Sequence, residues 1–162
     1  MPPRADEART ADYAAALTIE VLDQHGQRRR LADFRGSNVV VYFYPRDETP
    51  GCTVEGKEFR ELNDQFLALE CQVVGVSTDS VESHRAFAQK HALPFTLLAD
   101  TGGALSQAFG VFKGGMAQRT TFVLDRDGRV ARSFFDVTPR GHAQQILNFV
   151  RTMLESHRML GG

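Results

Sequence analysis

The sequence predicts an α/β sandwich, with a mixed central sheet between helices. Three observations carry that prediction. VVVYFY at 39–44 and QVVGVS at 72–77 are continuous apolar runs, as strands buried on both faces require. Amphipathic helical patterns follow each run, and TTFVLD, an Asp127-Gly128 turn and RVARSFF then make an antiparallel hairpin. A chain of 162 residues suits one core and not two.

Taken in order, residues 1–16 read as a flexible tail and 17–162 as the domain. LTIEVLDQHGQRRRL alternates as a strand, turns at His25-Gly26 and returns, which predicts an N-terminal β-hairpin. Beyond VVVYFY, the residues Phe59, Leu62, Phe66 and Leu69 line one helical face; Thr49 is that helix's N-cap and Pro50 its first residue. QVVGVS is the next strand, and DSVESHRAFAQKH a helix capped by Asp79, with Glu82 completing a capping box. PFTLLAD and GALSQAFG continue the alternation. A last helix starts with Thr138 as cap and Pro139 as first residue, and turns Ile146, Leu147, Val150, Met153 and Leu154 inward.

Composition removes several function classes. A net charge of -1 offers no electrostatic case for nucleic acid or an anionic membrane, and Arg28–Arg30 read as a solvated hairpin flank. VVVYFY is far too short to span a bilayer, and the N-terminus mixes acids and bases without an apolar signal core, so a cytoplasmic location is expected. The histidines lack metal-ligand spacing; His84 and His91 read as solvated surface residues, and neither metal nor organic cofactor is expected. Two cysteines, Cys52 and Cys71, are too few for a disulfide scaffold.

In open α/β sheets chemistry gathers at the carboxyl ends of strands, and Cys52 lies just beyond VVVYFY. As third residue of a helix capped by Thr49, it faces unpaired N–H groups and the positive end of the macrodipole, which stabilise a thiolate. A Pro-Gly turn is also a poor place to hide a side chain. Ionisation alone accomplishes little, however. Lower basicity weakens a thiolate's nucleophilicity with a Brønsted coefficient of about 0.4–0.5, so the gain in anion is largely offset. Large acceleration requires donors aimed at the charge that develops on the electrophile. The candidates are the Thr49 hydroxyl, the first-turn N–H groups and a cation from elsewhere in the chain. As N-cap, Thr49 should accept from a first-turn N–H through its side-chain oxygen, keeping its own hydrogen free to donate.

PRDETPGC, with Pro45, Thr49 and Cys52 in the pattern PxxxTxxC, resembles the active-site motif of peroxiredoxins. VVVYFYPRDETPGCT, VVGVSTDSVESHRAFAQKH, LPFTLLAD and RTTFVLDRDGRV extend the resemblance to the bacterioferritin comigratory protein, or PrxQ, branch from about residue 17 onward. The resemblance implies a thioredoxin-like fold and a thiol peroxidase reducing hydrogen peroxide and organic hydroperoxides. It makes Cys52 the peroxidatic cysteine, Thr49 the peroxide-holding hydroxyl, Pro45 the shield against water and Arg119 the cation beside the thiolate. Glu55, one helical turn beyond Cys52, could orient Arg119 by a bidentate pair, or could equally be a solvated helix glutamate.

Two departures from that pattern matter. Many members of the branch carry a resolving cysteine five residues after the first, where this chain has Lys57; others carry it in the next helix, and DSVESHRAFAQKH has none. Cys71 is a poor substitute, because the helix between the thiols separates them by on the order of 25 Å, whereas a disulfide needs α-carbons within about 7 Å. Cys71 therefore reads as structural. The expectation is a one-cysteine enzyme whose sulfenic acid is reduced by an external thiol: thioredoxin, glutaredoxin with glutathione, or a small thiol. A peroxide sensor with little turnover is the alternative. The second departure is AALTIEVLD, which places Ile19 where the branch usually has the aromatic of an Ala-Pro-Asp-Phe element. No apolar stripe marks an interface, and a monomer or weak dimer is expected.

Overall fold

The computed structural model describes residues 11–159. Its first element is a short helix, α1 (Tyr13–Ala16), capped by the Asp12 carboxylate, which accepts from the Ala15 N–H at 3.0 Å. Residues 13–16 are thus not tail, as the sequence suggested. The Tyr13 ring packs 5.5 Å from Phe109 and 5.7 Å from Phe122, and Ala16 is fully buried, so this turn is held by the core. Residues 1–10 lie outside the described part.

The N-terminal hairpin follows as β1 (Val21–Asp23) and β2 (Arg28–Arg29), shorter than its alternation suggested, and a 3-10 turn spans Leu31–Phe34. Ile19 precedes the hairpin and packs, half-buried, against the same core as Tyr13. Every residue of β3 (Asn38–Phe43) is buried, as a central strand requires. The chain continues through α2 (Pro50–Ala68), β4 (Cys71–Ser77), α3 (Val81–His91), β5 (Thr96–Ala99) and α4 (Ala104–Ala108). A small hairpin, β6 (Phe112–Lys113) with β7 (Met116–Ala117), precedes the larger one of β8 (Thr120–Leu124) and β9 (Val130–Phe134), and α5 (His142–Met159) closes the chain.

Two helix starts differ from the capping patterns, and in each case a tertiary bond outranks the local rule. Ser80, not Asp79, caps α3, because the Asp79 carboxylate already accepts from the Asp47 N–H at 2.8 Å and from the Ser77 hydroxyl at 2.6 Å. The last helix starts at His142, not Pro139. Gly141 stands at φ +85, outside the right-handed helical region, and its N–H donates to Glu58 at 2.7 Å.

The seven-stranded sheet runs β2-β1-β5-β4-β3-β8-β9, with β3, β4 and β5 parallel, β1 and β8 antiparallel to them, and the edge strands β2 and β9 antiparallel to β1 and β8 respectively. Tyr42, Phe59, Phe66, Leu97, Ile146 and Leu147 fill one core between the sheet and α2, α3 and α5. Phe43, Leu98, Leu105, Phe109 and Phe122 fill the other. Strands β3 and β4 are locked together where Gly75 sits against Tyr42 and Leu97; a Cβ there would lie 2.9 Å and 2.8 Å from their side chains. That rigid pair delivers the following loop to one end of the sheet.

Candidate active site

Beyond Phe43 the chain keeps one more sheet contact, from the Tyr44 N–H to the Val76 carbonyl at 3.0 Å, and then leaves the sheet. Half-buried Pro45 begins the loop, and Glu48 within it holds a left-handed φ of +65, a strained conformation for a residue with a side chain. Helix α2 starts at Pro50, where the missing N–H costs nothing, and Cys52 is its third residue. The Pro-Gly turn does hide its side chain, against the sequence expectation: Cys52 is 1% exposed.

Arg119, immediately before β8, reaches this sulfur. One of its guanidinium nitrogens donates to the Cys52 Sγ at 3.3 Å, and the other donates to Glu55 Oε1 at 2.7 Å. Glu55 is fully buried, which removes the solvated reading. The contact is not bidentate either, because Oε2 has no hydrogen-bond partner among the described residues. Burial pushes the Glu55 carboxyl up to about 7, against the opposing pull of Arg119. Burial alone would lower Arg119, but the charges of Glu55 and Cys52 outweigh it and raise the guanidinium above its ordinary value. Arg119 is therefore a fixed cation bridging a carboxylate and a sulfur.

Thr49 is oriented differently from expectation. Its hydroxyl donates to the Arg46 carbonyl at 2.8 Å and makes no cap bond; its carbonyl starts the helix by accepting from the Thr53 N–H at 2.9 Å. The hydroxyl's lone pairs remain available as acceptors. The structure thus joins Cys52, Arg119 and Glu55 in one chain of contacts, and places Thr49 and Pro45 on the adjoining loop without a polar contact to the sulfur.

Cys71 stands apart. It opens β4 opposite Asn38, the first residue of β3, whereas Cys52 lies beyond that strand's last residue. Both thiols are free. Cys71 is completely buried, and burial pushes its thiol up to about 12.

Sequence reasoning missed a buried polar cluster beneath the loop. His84 is completely buried rather than solvated: its Nδ1 lies 2.7 Å from Asp47 Oδ2 and its Nε2 2.9 Å from the Leu98 carbonyl. His91 is also largely covered, with its side chain 11% exposed, its ring edge-on to Phe87 and its Nε2 3.1 Å from Glu48. Asp47, Asp79 and His84 bring three ligand-type atoms within 4.8 Å. Hydrogen bonds to Tyr44, Ser77, Ser83, Leu98 and one another already engage those atoms, which accounts for the grouping without an ion. No periodicity joins residue 47 to residue 84; only the topology does.

The fold around this buried cysteine and the arginine that precedes β8 is the thioredoxin-like one of the peroxiredoxins. Residues 13–133 match the AhpC/TSA family, and the chain belongs to that family. It is 37% identical over 148 residues to Peroxiredoxin Bcp of Bacillus subtilis, covering 86% of this chain and 94% of the relative. It is 41% identical over 150 residues to the chloroplastic Peroxiredoxin Q of Suaeda salsa, covering 90% and 70%. Among solved structures, Xanthomonas campestris Peroxiredoxin Q superposes with a TM-score of 0.82 at 35% identity, covering 86% of this chain and 93% of that one. Peroxidoxin BcpB of Mycobacterium tuberculosis gives 0.78 at 36%, covering 83% and 92%. The protein is a thiol-dependent peroxidase whose substrate is a peroxide and whose reductant is a thiol. Among the described residues no helix is long and apolar enough to cross a membrane.

Proposed function

We propose that Cys52 is the peroxidatic cysteine of a one-cysteine enzyme, served by Arg119, Thr49 and Pro45 and regenerated by a thiol from outside the chain. The observation that carries this reading is the 3.3 Å contact between Arg119 and the Cys52 sulfur. The thiolate attacks the terminal peroxide oxygen, the O–O bond breaks, and the leaving oxygen departs as hydroxide or alkoxide and takes up a proton. Cys52 is thereby oxidised to sulfenic acid, and hydrogen peroxide or an organic hydroperoxide is reduced to water or an alcohol. A thiol then forms a mixed disulfide with release of water, and a second thiol displaces Cys52.

Arg119 stabilises the thiolate and the charge on the leaving oxygen, and Glu55 holds Arg119 in line. With its own hydrogen engaged by Arg46, Thr49 accepts the hydroperoxide O–H and so turns the terminal oxygen toward sulfur. Pro45 closes the site to water. The alkyl peroxide reduction activity of the structurally similar Xanthomonas campestris bacterioferritin comigratory protein supports organic hydroperoxides as substrates here and favours turnover over a sensor role.

The external thiol is thioredoxin, glutaredoxin with glutathione, or a small thiol. The two buried free cysteines suit the reducing cytoplasm. Leu22 and Leu67 are the exposed large apolar side chains among the described residues, which fits a monomer or weak dimer. Stopped-flow peroxide reduction by wild type, Cys52→Ser and Cys71→Ser against this reductant panel tests the assignment. Cys52→Ser should be inert and Cys71→Ser unimpaired; turnover by Cys52→Ser would refute it.

A further inference from the structure

Resting on that assignment of Cys52, we propose that Asp47 and His84 are positioning residues for the peroxide step: as a buried clasp they hold the β3–α2 loop in the conformation that sets Thr49 and Cys52 before Arg119. The loop does not hold this shape through its own preferences. Glu48, directly between Asp47 and Thr49, is left-handed without being glycine, and such strain persists only where surrounding contacts over-determine it.

Those contacts converge on Asp47, which is 6% exposed. Its Oδ1 accepts from the Tyr44 hydroxyl at 2.6 Å; its Oδ2 accepts from the Ser83 hydroxyl at 2.8 Å and faces His84 Nδ1 at 2.7 Å. Its N–H donates to Asp79 at 2.8 Å. His84 carries the clasp onward to the sheet. A carbonyl only accepts, so the 2.9 Å contact with Leu98 places a hydrogen on Nε2, and the short contact on the other ring nitrogen holds a second hydrogen between imidazole and carboxylate. The loop is thus tied by charge-assisted bonds to α3 and through it to β5. Glu48 adds an outer tie, 3.1 Å from His91 and 3.6 Å from Lys90 on the same helix.

The role differs for the two half-reactions. Peroxide reduction needs the loop closed, with Cys52 buried beside Arg119. A thiol reductant needs access to a sulfur that is 1% exposed in the closed form. Loosening the clasp should therefore slow the first and quicken the second, a split that general destabilisation does not produce.

The test uses the full chain at a temperature where each variant is folded by circular dichroism. Stopped-flow oxidation of Cys52 by hydrogen peroxide reports one half-reaction; capture of the pre-formed sulfenic acid by 2-mercaptoethanol reports the other. Asp47→Ala and His84→Ala should lower the peroxide rate constant by about tenfold or more, as misplacement of reacting groups does, while raising the capture rate. His84→Asn, whose amide replaces the donor at Nδ1, should recover most of the peroxide rate. Isosteric Asp47→Asn should show the same split as Asp47→Ala and serves if the alanine variants do not accumulate. The proposal is overturned if these substitutions leave the peroxide rate near wild type, if both half-reactions slow together, or if His84→Asn is as impaired as His84→Ala. Turnover by Cys52→Ser would instead defeat the assignment of Cys52.

Discussion

Arg119 serves two partners 64 and 67 residues away in sequence, and both need its planar fork. Lysine offers one point charge and cannot hold Glu55 and the sulfur together in the same geometry. Arg119→Lys should lower the peroxide rate constant by on the order of 10²-fold, the usual cost of removing a fixed donor from a developing charge, with denaturant stability little changed; stopped flow beside guanidinium unfolding measures both. Glu55 makes a separate claim about pH. Its carboxyl is pushed from 4.5 to about 7, so between those values the folded chain keeps a proton that the unfolded chain has released. Stability from protonated Glu55 is fully present below its ordinary value and is lost as pH rises through about 7. His142 works the other way: burial pushes it from 6.5 to about 4, and stability is lost as pH falls through that range. Comparing wild type with Glu55→Gln at each pH cancels the His142 contribution. The unfolding midpoint should shift in favour of Glu55→Gln between about pH 5 and about pH 8; a constant difference would refute the raised carboxyl.

The first turn of α2 is built to close around its neighbours. A Cβ on Gly51 would stand 3.1 Å from the Arg119 guanidinium and 3.3 Å from Pro139, so Gly51→Ala must push one of them aside. The flexible guanidinium yields more readily than the proline ring. Gly51→Ala should therefore keep its secondary structure by circular dichroism and lose peroxide reactivity in stopped flow. Elements differ in how far the sequence reveals them. The runs at 39–44 and 72–77 announce central strands because burial on both faces keeps 39–44 and 73–76 free of charged residues, with Gln72 the exposed exception at the start of the second run. The caps at Asp79 and Thr138 mislead because capping is a local preference of about 1 kcal/mol: a long-range bond engages the Asp79 carboxylate, and at the last helix Gly141 turns its N–H to Glu58. Within the site, Pro45, Thr49 and Cys52 are legible as one linear motif. Arg119 becomes legible only through the family resemblance, and His84 not at all, because a single histidine on a helix carries no sign of what the next strand will place beneath it.

For the molecule as a whole, the parallel pairing of β3 with β4 puts the two sulfurs at opposite ends of the sheet and gives them opposite fates. On the clasp proposed above, Cys52 becomes reachable as the β3–α2 loop loosens, whereas Cys71 sits inside the core with its thiol raised to about 12. In the native protein an alkylating reagent should therefore modify Cys52 alone, with Cys71 reacting only as the chain unfolds, which peptide mass mapping along a denaturant series would follow. The measurement bearing most directly on the whole reading is the intact and peptide mass of reduced wild type after one equivalent of hydrogen peroxide without thiol. One added oxygen on Cys52, with Cys71 still a free thiol, is the expected product. A Cys52–Cys71 disulfide within one chain, or oxygen added at Cys71 while Cys52 stays reduced, would contradict it.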